Sequence, residues 1–290
     1  MKRRELLLAA GAAAMSLSTF PLGWASAEEK KKQRLLYFTR SAGFVHPAVD
    51  RHGQALSYSE KMLKDLGAKR GLDIVCSQDG AVFDGDLDQF DAFIFYTSGD
   101  LTTKGEQPQP GQPMSVQGKK RFIDAVAAGK GFVGIHSATD TFRQPGHAVD
   151  PYTAMLGAEF LIHQSQQKAT MRVTDPKFPG AQDLGRGFAM EEEWYTFHKF
   201  APDLHVILVQ ETDGMHDPVY QRPPYPATWA RMQQKGRVFY TSMGHRDDVW
   251  TSPKFQQVLL GGINWALKNV DAPVPSNIGQ VTPGANRLKK

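Results

Sequence analysis

Gly131-Phe132-Val133-Gly134-Ile135-His136 is apolar until its last residue, and Ser137-Ala138-Thr139-Asp140 follows it with mostly polar side chains. An unbroken apolar run of this length, without alternation, reads as a strand buried on both faces, as in parallel sheets covered by helices. Upstream, residues 116–128 place Phe122, Ile123 and Val126 on one side of a helix that Gly129 and Gly131 end. Downstream, small residues flank His136 in the layout G-x-Nuc-x-G, where a tight strand-to-helix turn lifts the central side chain above the sheet.

Working outward, residues 34–39, 72–76 and 90–97 read as three more strands, and a helix is expected over residues 47–69 with Leu56, Met62, Leu63 and Leu66 on one face. Strands alternating with helices predict an α/β fold, a doubly wound and mostly parallel sheet. The second half is less regular. Residues 168–174, 191–197 and 204–210 read as strands, and 227–232 with 237–242 as a hairpin around Lys235-Gly236, giving a mixed or antiparallel extension. A last helix is expected over 253–268, and the Pro-, Gly- and Asn-bearing residues 271–290 are expected as a loose tail. The Gly-, Pro- and Gln-rich stretch 102–115 is a long loop of the kind that is mobile or functional. Residues 220–226 form a Pro-rich loop, read as a lid, a pocket wall or a rigid connection.

The 290 residues leave room for one large domain or two small ones, and with no linker in the sequence one domain is expected over residues 34–268. Before it, Lys2-Arg3-Arg4, the apolar stretch from Leu6 to Ala14 and Ala25-Ser26-Ala27 have the order of a cleavable export signal over residues 1–27. The Arg3-Arg4 pair favours the twin-arginine route, with the general secretory route and an uncleaved anchor as competing readings. Periplasmic or secreted localisation is expected, with no membrane association after cleavage. Cleavage removes Lys2, Arg3, Arg4 and Glu5, so the formal charge falls from +4 to +2. Seven Lys and Arg at residues 30–34 and 287–290, flanking the domain, account for the remaining positive excess, which argues against a nucleic-acid partner. Cys76 is the only cysteine, so no intrachain disulfide exists, and its apolar surroundings predict a buried, inert thiol.

In open parallel sheets, ligands bind beyond the carboxyl ends of the strands. That rule selects four loops: Arg40 and His46 after the first strand, Ser98-Gly99-Asp100 after the third, His136 and Asp140 after the fourth, and His245 to Asp248 after the strand at 237–242. An imidazole at the elbow can move a proton or bind a metal but suits acyl transfer poorly, and Ser137 is one position off the elbow. Trp194, Tyr195 and Trp229 are candidates to stack on a ligand ring, with core packing as the competing reading. Of Glu191-Glu192-Glu193, alternation along a strand favours Glu193 as the carboxylate facing the pocket. His147, His198, His205 and His216 lack comparable context and carry no assigned role.

Together these stretches resemble the ThuA-like (trehalose-utilisation) family. The resemblance rests on residues 38–46, on 131–140, on Met155 to Phe160 with His163 shortly after, and on Glu192-Glu193-Trp194-Tyr195. It continues through Ala227-Thr228-Trp229, residues 236–245 and residues 261–266. It implies a flavodoxin-like fold related to class I glutamine amidotransferases, a small-molecule sugar as partner and a functional link to a sugar oxidoreductase. The amidotransferase elbow carries cysteine where this chain has His136, so glutamine hydrolysis through a thioester is excluded, while the late histidine is matched by His245. Two readings follow. One is a hydrolase, lyase or isomerase of a disaccharide or 3-keto sugar, with His136, His245, Asp140 and Glu193 as catalytic candidates and Arg40, His46, Trp194, Tyr195 and Trp229 around the substrate. The other is a non-catalytic carbohydrate-binding or accessory protein. His46, His136 and His245 could jointly hold a divalent metal such as zinc, with a metal-free acid–base pair and a structural role as the open alternatives.

Overall fold

A computed structural model describes residues 32–105 and 107–287, so the export signal expected over residues 1–27 lies outside the described residues. The elements run β1 (Arg34–Phe38), α1 (Tyr58–Ala68), β2 (Asp73–Ser77), β3 (Ala92–Phe95), α2 (Val116–Ala128), β4 (Gly131–Ile135), α3 (Pro151–Leu156), β5 (Glu159–Ile162) and β6 (Gln167–Val173). They continue with β7 (Gly187–Glu192), β8 (Thr196–His198), β9 (His205–Gln210), β10 (Tyr225–Gln233), β11 (Gly236–Thr241), α4 (Asp247–Thr251), α5 (Pro253–Ala266) and α6 (Ile278–Val281). Nine strands form one sheet in the order β2-β1-β3-β4-β11-β10-β9-β6-β7, and β5 pairs with β8 separately. The first five are parallel and the rest antiparallel. The fold is therefore α/β with the expected antiparallel extension, and its parallel half has the flavodoxin-like order.

Alternation along β1 explains the two layers. Leu35 and Tyr37 join Ile94, Val133, Leu63 of α1 and Phe255, Leu259 and Ile263 of α5 in one core. Leu36 and Phe38 join Phe93, Phe95, Phe132, Phe122 of α2 and Tyr152 of α3 in the other. Each such large side chain contributes about 1.5–3 kcal/mol by leaving water, and both faces of the parallel half are closed to solvent. Gly131 and Gly134 leave room for close neighbours: a Cβ at Gly131 would lie 2.7 Å from the carbonyl of Ala266, and one at Gly134 3.0 Å from the Tyr240 ring.

Several boundaries differ from expectation for identifiable reasons. The first helix starts at Tyr58, not near Pro47, because Ser57 and Glu60 form a reciprocal capping box there. The single strand expected over 191–197 is two strands in different sheets, β7 and β8, with Glu193-Trp194-Tyr195 between them. Residues 271–287 are not the loose tail expected. Asn277 accepts from the backbone N–H of Val206 at 2.7 Å and donates to its carbonyl at 3.0 Å, on a stretch of β9 that β6 does not reach. Asn286 and Arg222 fasten the segment further on. Cys76 is half-buried in β2 rather than fully buried, and burial pushes its thiol up to about 12, which keeps it unreactive. Among the described residues, no helix is long and apolar enough to cross a membrane.

Candidate metal centre

β1, β4 and β11 run parallel, so their carboxyl ends open on one edge of the sheet, and the loops leaving them deliver His46, His136 and His245. The fourth member comes from the antiparallel half, where the chain leaves β7 and turns Glu193 toward the same edge. One donor atom from each of the four lies within 4.8 Å of all the others. Glu193 Oε2 is 3.1 Å from His245 Nδ1, 3.3 Å from His136 Nε2 and 3.8 Å from His46 Nε2. Its Oε1 is 3.4 Å from Nδ1 of His163, which follows β5 and keeps 39% of its side chain exposed.

His136 is held most firmly. Its φ of 45° lies in the left-handed region, which costs a non-glycine residue of order 1–3 kcal/mol and persists only where neighbours enforce it. The Tyr240 hydroxyl donates to its carbonyl at 2.7 Å, and its ring Nδ1 lies 2.9 Å from the carbonyl of Ser242. A carbonyl only accepts, so Nδ1 carries the proton. Burial pushes the His136 pKa down to about 3 despite Glu193, so the ring is neutral and Nε2 presents a lone pair. That lone pair faces Glu193, whose carboxyl burial would raise but the surrounding histidines hold well below the usual range. His136 Nε2 and Glu193 Oε2 thus stand 3.3 Å apart, a spacing that either a shared proton or a shared metal cation fills.

The surrounding groups set the other members. Burial also lowers the pKa of His46, and its Nε2 lies 3.0 Å from the Tyr195 hydroxyl. Burial pulls His245 downward as well, but Glu193 outweighs it and the net shift is upward. Its Nε2 lies 3.0 Å from the amide nitrogen of Gln166, whose oxygen accepts from Arg246. Glu192, fully buried, accepts the backbone N–H groups of Glu193 at 2.9 Å, Gly244 at 2.9 Å and His245 at 3.2 Å. It thereby ties the end of β7 to the loop after β11, and burial pushes its carboxyl up to about 7.

Not every candidate read from the sequence is placed here. Trp194 and Trp229 are fully buried, and their indole N–H groups donate to the carbonyls of Gln167 and Leu156, so neither face is open to a sugar. Tyr195 is buried too: His163 stacks on its ring at 5.5 Å, and the His136 ring centre is 4.2 Å away. Buried Arg40 donates to the carbonyls of Gln78 and Pro110, bracing the 102–115 loop instead of facing a ligand. Asp140 is paired with Arg143 at 2.9 Å and stands outside the group of four. Asp248 is taken by Arg246. His198 and His205 are engaged by Glu159 and Asp175. Sequence reasoning assigned no role to Glu192, His163 or Gln166. His163 lay in a stretch of the resemblance, and Glu192 was the carboxylate that strand alternation set aside.

The fold and this cluster define an open α/β protein with three histidines and a carboxylate gathered at the carboxyl edge of its sheet. The chain belongs to the ThuA family, described as trehalose utilisation, whose family profile matches residues 34–266. It is similar in fold to a protein of Bacteroides uniformis described as ThuA-like, with 17% identity, a TM-score of 0.60, and coverage of 83% of this chain and 94% of that one. A second ThuA-like protein, of Parabacteroides merdae, shares 14% identity with a TM-score of 0.61, over 87% and 96% of the two chains. No curated protein matches the chain.

Proposed function

We propose that this chain is a metal-dependent enzyme of sugar metabolism, acting on a disaccharide or 3-keto sugar as a hydrolase, lyase or isomerase. The observation that carries the metal is the convergence of one donor atom from each of His46, His136, His245 and Glu193 within 4.8 Å of all the others, with His136 Nδ1 anchored on a backbone carbonyl. Metal-ligating histidines are commonly fixed through their other N–H in this way. Membership of a family described as trehalose utilisation supports a sugar as the substrate. Three imidazoles and one carboxylate suit zinc and neighbouring first-row ions better than magnesium or calcium.

A divalent ion held by His46, His136 and His245 would polarise a carbonyl or hydroxyl oxygen of the substrate. Glu193 stands beside these donors and is ionised, so it can take the proton from a carbon next to a keto group. In an elimination the electron pair of that C–H bond becomes the new C=C bond. The C–O bond to the departing sugar breaks, and the departing oxygen takes up a proton. His163, half-exposed and 3.4 Å from Glu193 Oε1, links the carboxylate to solvent for that exchange.

A screen of the mature protein against 3-keto and unoxidised disaccharides, with and without chelator, tests this. Turnover that chelator abolishes and added metal restores is expected. Saturable sugar binding without turnover would instead favour an accessory carbohydrate-binding protein.

Export belongs to the same reading, supported by Arg3-Arg4 and Ala25-Ser26-Ala27. Changing Arg3 and Arg4 to lysine is expected to trap precursor in the cytoplasm. Normal periplasmic recovery of that variant would count against the twin-arginine route.

A further inference from the structure

Most aromatic side chains in this protein are buried, yet Phe44 is 63% exposed, and it is the only aromatic among the exposed large hydrophobic residues described. Its ring centre lies 4.9 Å from that of His46, edge to face, which puts it beside the four-residue cluster. We propose that Phe44 is the substrate platform of this site, the surface on which the C–H face of a pyranose ring packs. The proposal rests on the sugar reading of the site and is independent of the metal.

A single exposed phenylalanine is ordinary on a floppy loop, but this loop is stiff. The backbone N–H groups of Ala42 and Gly43 donate to the carbonyl of Ser98 at 2.8 and 3.1 Å. The Ser98 hydroxyl donates back to the Phe44 carbonyl at 2.6 Å. Gly99, with a φ of +73°, packs so closely that a Cβ there would lie 2.3 Å from the Gly43 nitrogen. Gly99 in turn exchanges backbone bonds with Asp140 and Phe142, beyond the His136 turn. The loop after β1 is thus bolted to the loops after β3 and β4, and it holds an apolar ring in water beside the site. Sugar rings have apolar C–H faces and a polar rim. The other groups that touch the cluster and reach solvent are polar, His163 on Glu193 and Gln166 on His245. One aromatic surface with a few polar partners is the usual make-up of a small-ligand site.

Calorimetric titration with methyl glucopyranoside and trehalose, beside the acyclic polyol sorbitol, tests the proposal on wild type, Phe44→Ala and Phe44→Trp. Metal content and thermal midpoint are recorded for each. Phe44→Ala is expected to weaken pyranoside binding roughly 10-fold, the size of one aromatic contact. Phe44→Trp should retain binding, and metal content and midpoint should stay unchanged. Saturation-transfer NMR should show the sugar C–H protons receiving magnetisation from the protein in wild type and losing it in Phe44→Ala. Equal binding by wild type and Phe44→Ala overturns the platform and leaves the sugar reading standing. Failure of wild type to bind any pyranoside overturns both. A protein that neither holds nor takes up metal but loses sugar affinity in Phe44→Ala supports the platform and overturns the metal centre.

Discussion

His136→Ala is expected to lower metal affinity at least about 100-fold and to abolish chelator-sensitive turnover. The loss of an outer partner alone costs a metal site 10–100-fold, and this change removes a donor outright. His136 is also the most constrained of the four, with its Nδ1 on the Ser242 carbonyl and its backbone held at positive φ. Because the variant leaves that carbonyl without a partner, His245→Ala serves beside it. That residue is partly exposed and, unlike His136, has no backbone strain at positive φ, so the variant is expected to fold. Metal affinity measured by competition with a chromogenic chelator should fall in both. Wild-type affinity in two folded variants would show that these histidines are not ligands.

Glu192→Ala is expected to destabilise the protein by roughly 3–5 kcal/mol, although Glu192 is none of the four donors. Its carboxylate is the acceptor for three backbone N–H groups. Leaving a buried donor unsatisfied costs about 1–3 kcal/mol each. For a chain of this size the thermal midpoint should fall by roughly 10 °C. Glu192→Gln keeps one acceptor oxygen and should recover only part of the loss. Freed from Glu192, the loop after β11 no longer fixes His245, so metal affinity should fall in both variants. A thermal melt that leaves Glu192→Ala at the wild-type midpoint would remove Glu192 from its positioning role.

What the sequence disclosed here is mostly what chain direction disclosed. Continuous apolar runs such as 131–136 mark parallel strands, and parallel strands bring their following loops to one edge. His46, His136 and His245 could therefore be grouped although 90 residues or more separate each from the next. Glu193 was singled out by extending strand alternation through residues 191–197. The structure brings it to the cluster by another cause, because the strand ends at Glu192 and the chain changes sheets. The same break explains why Glu192 was passed over: its role comes from N–H groups that a distant loop supplies. Trp194 and Trp229 were offered to a sugar because composition does not say which side of a sheet an aromatic faces, and both lie in the core. Asp140 follows the right strand, but Arg143 three residues on claims its carboxylate. His163 reaches the site from the β5–β8 pair, a long-range pairing without a local signature.

The central claim is that His46, His136 and His245, with Glu193 beside them, form the site of a divalent cation. The most direct test is metal analysis of the mature protein purified without an affinity tag, followed by stripping with chelator and titration with zinc, manganese, cobalt and nickel. About one ion per chain is predicted, either retained on purification or regained on titration with saturable stoichiometry. Wild-type protein that carries no metal and takes up none of the four ions would contradict the account.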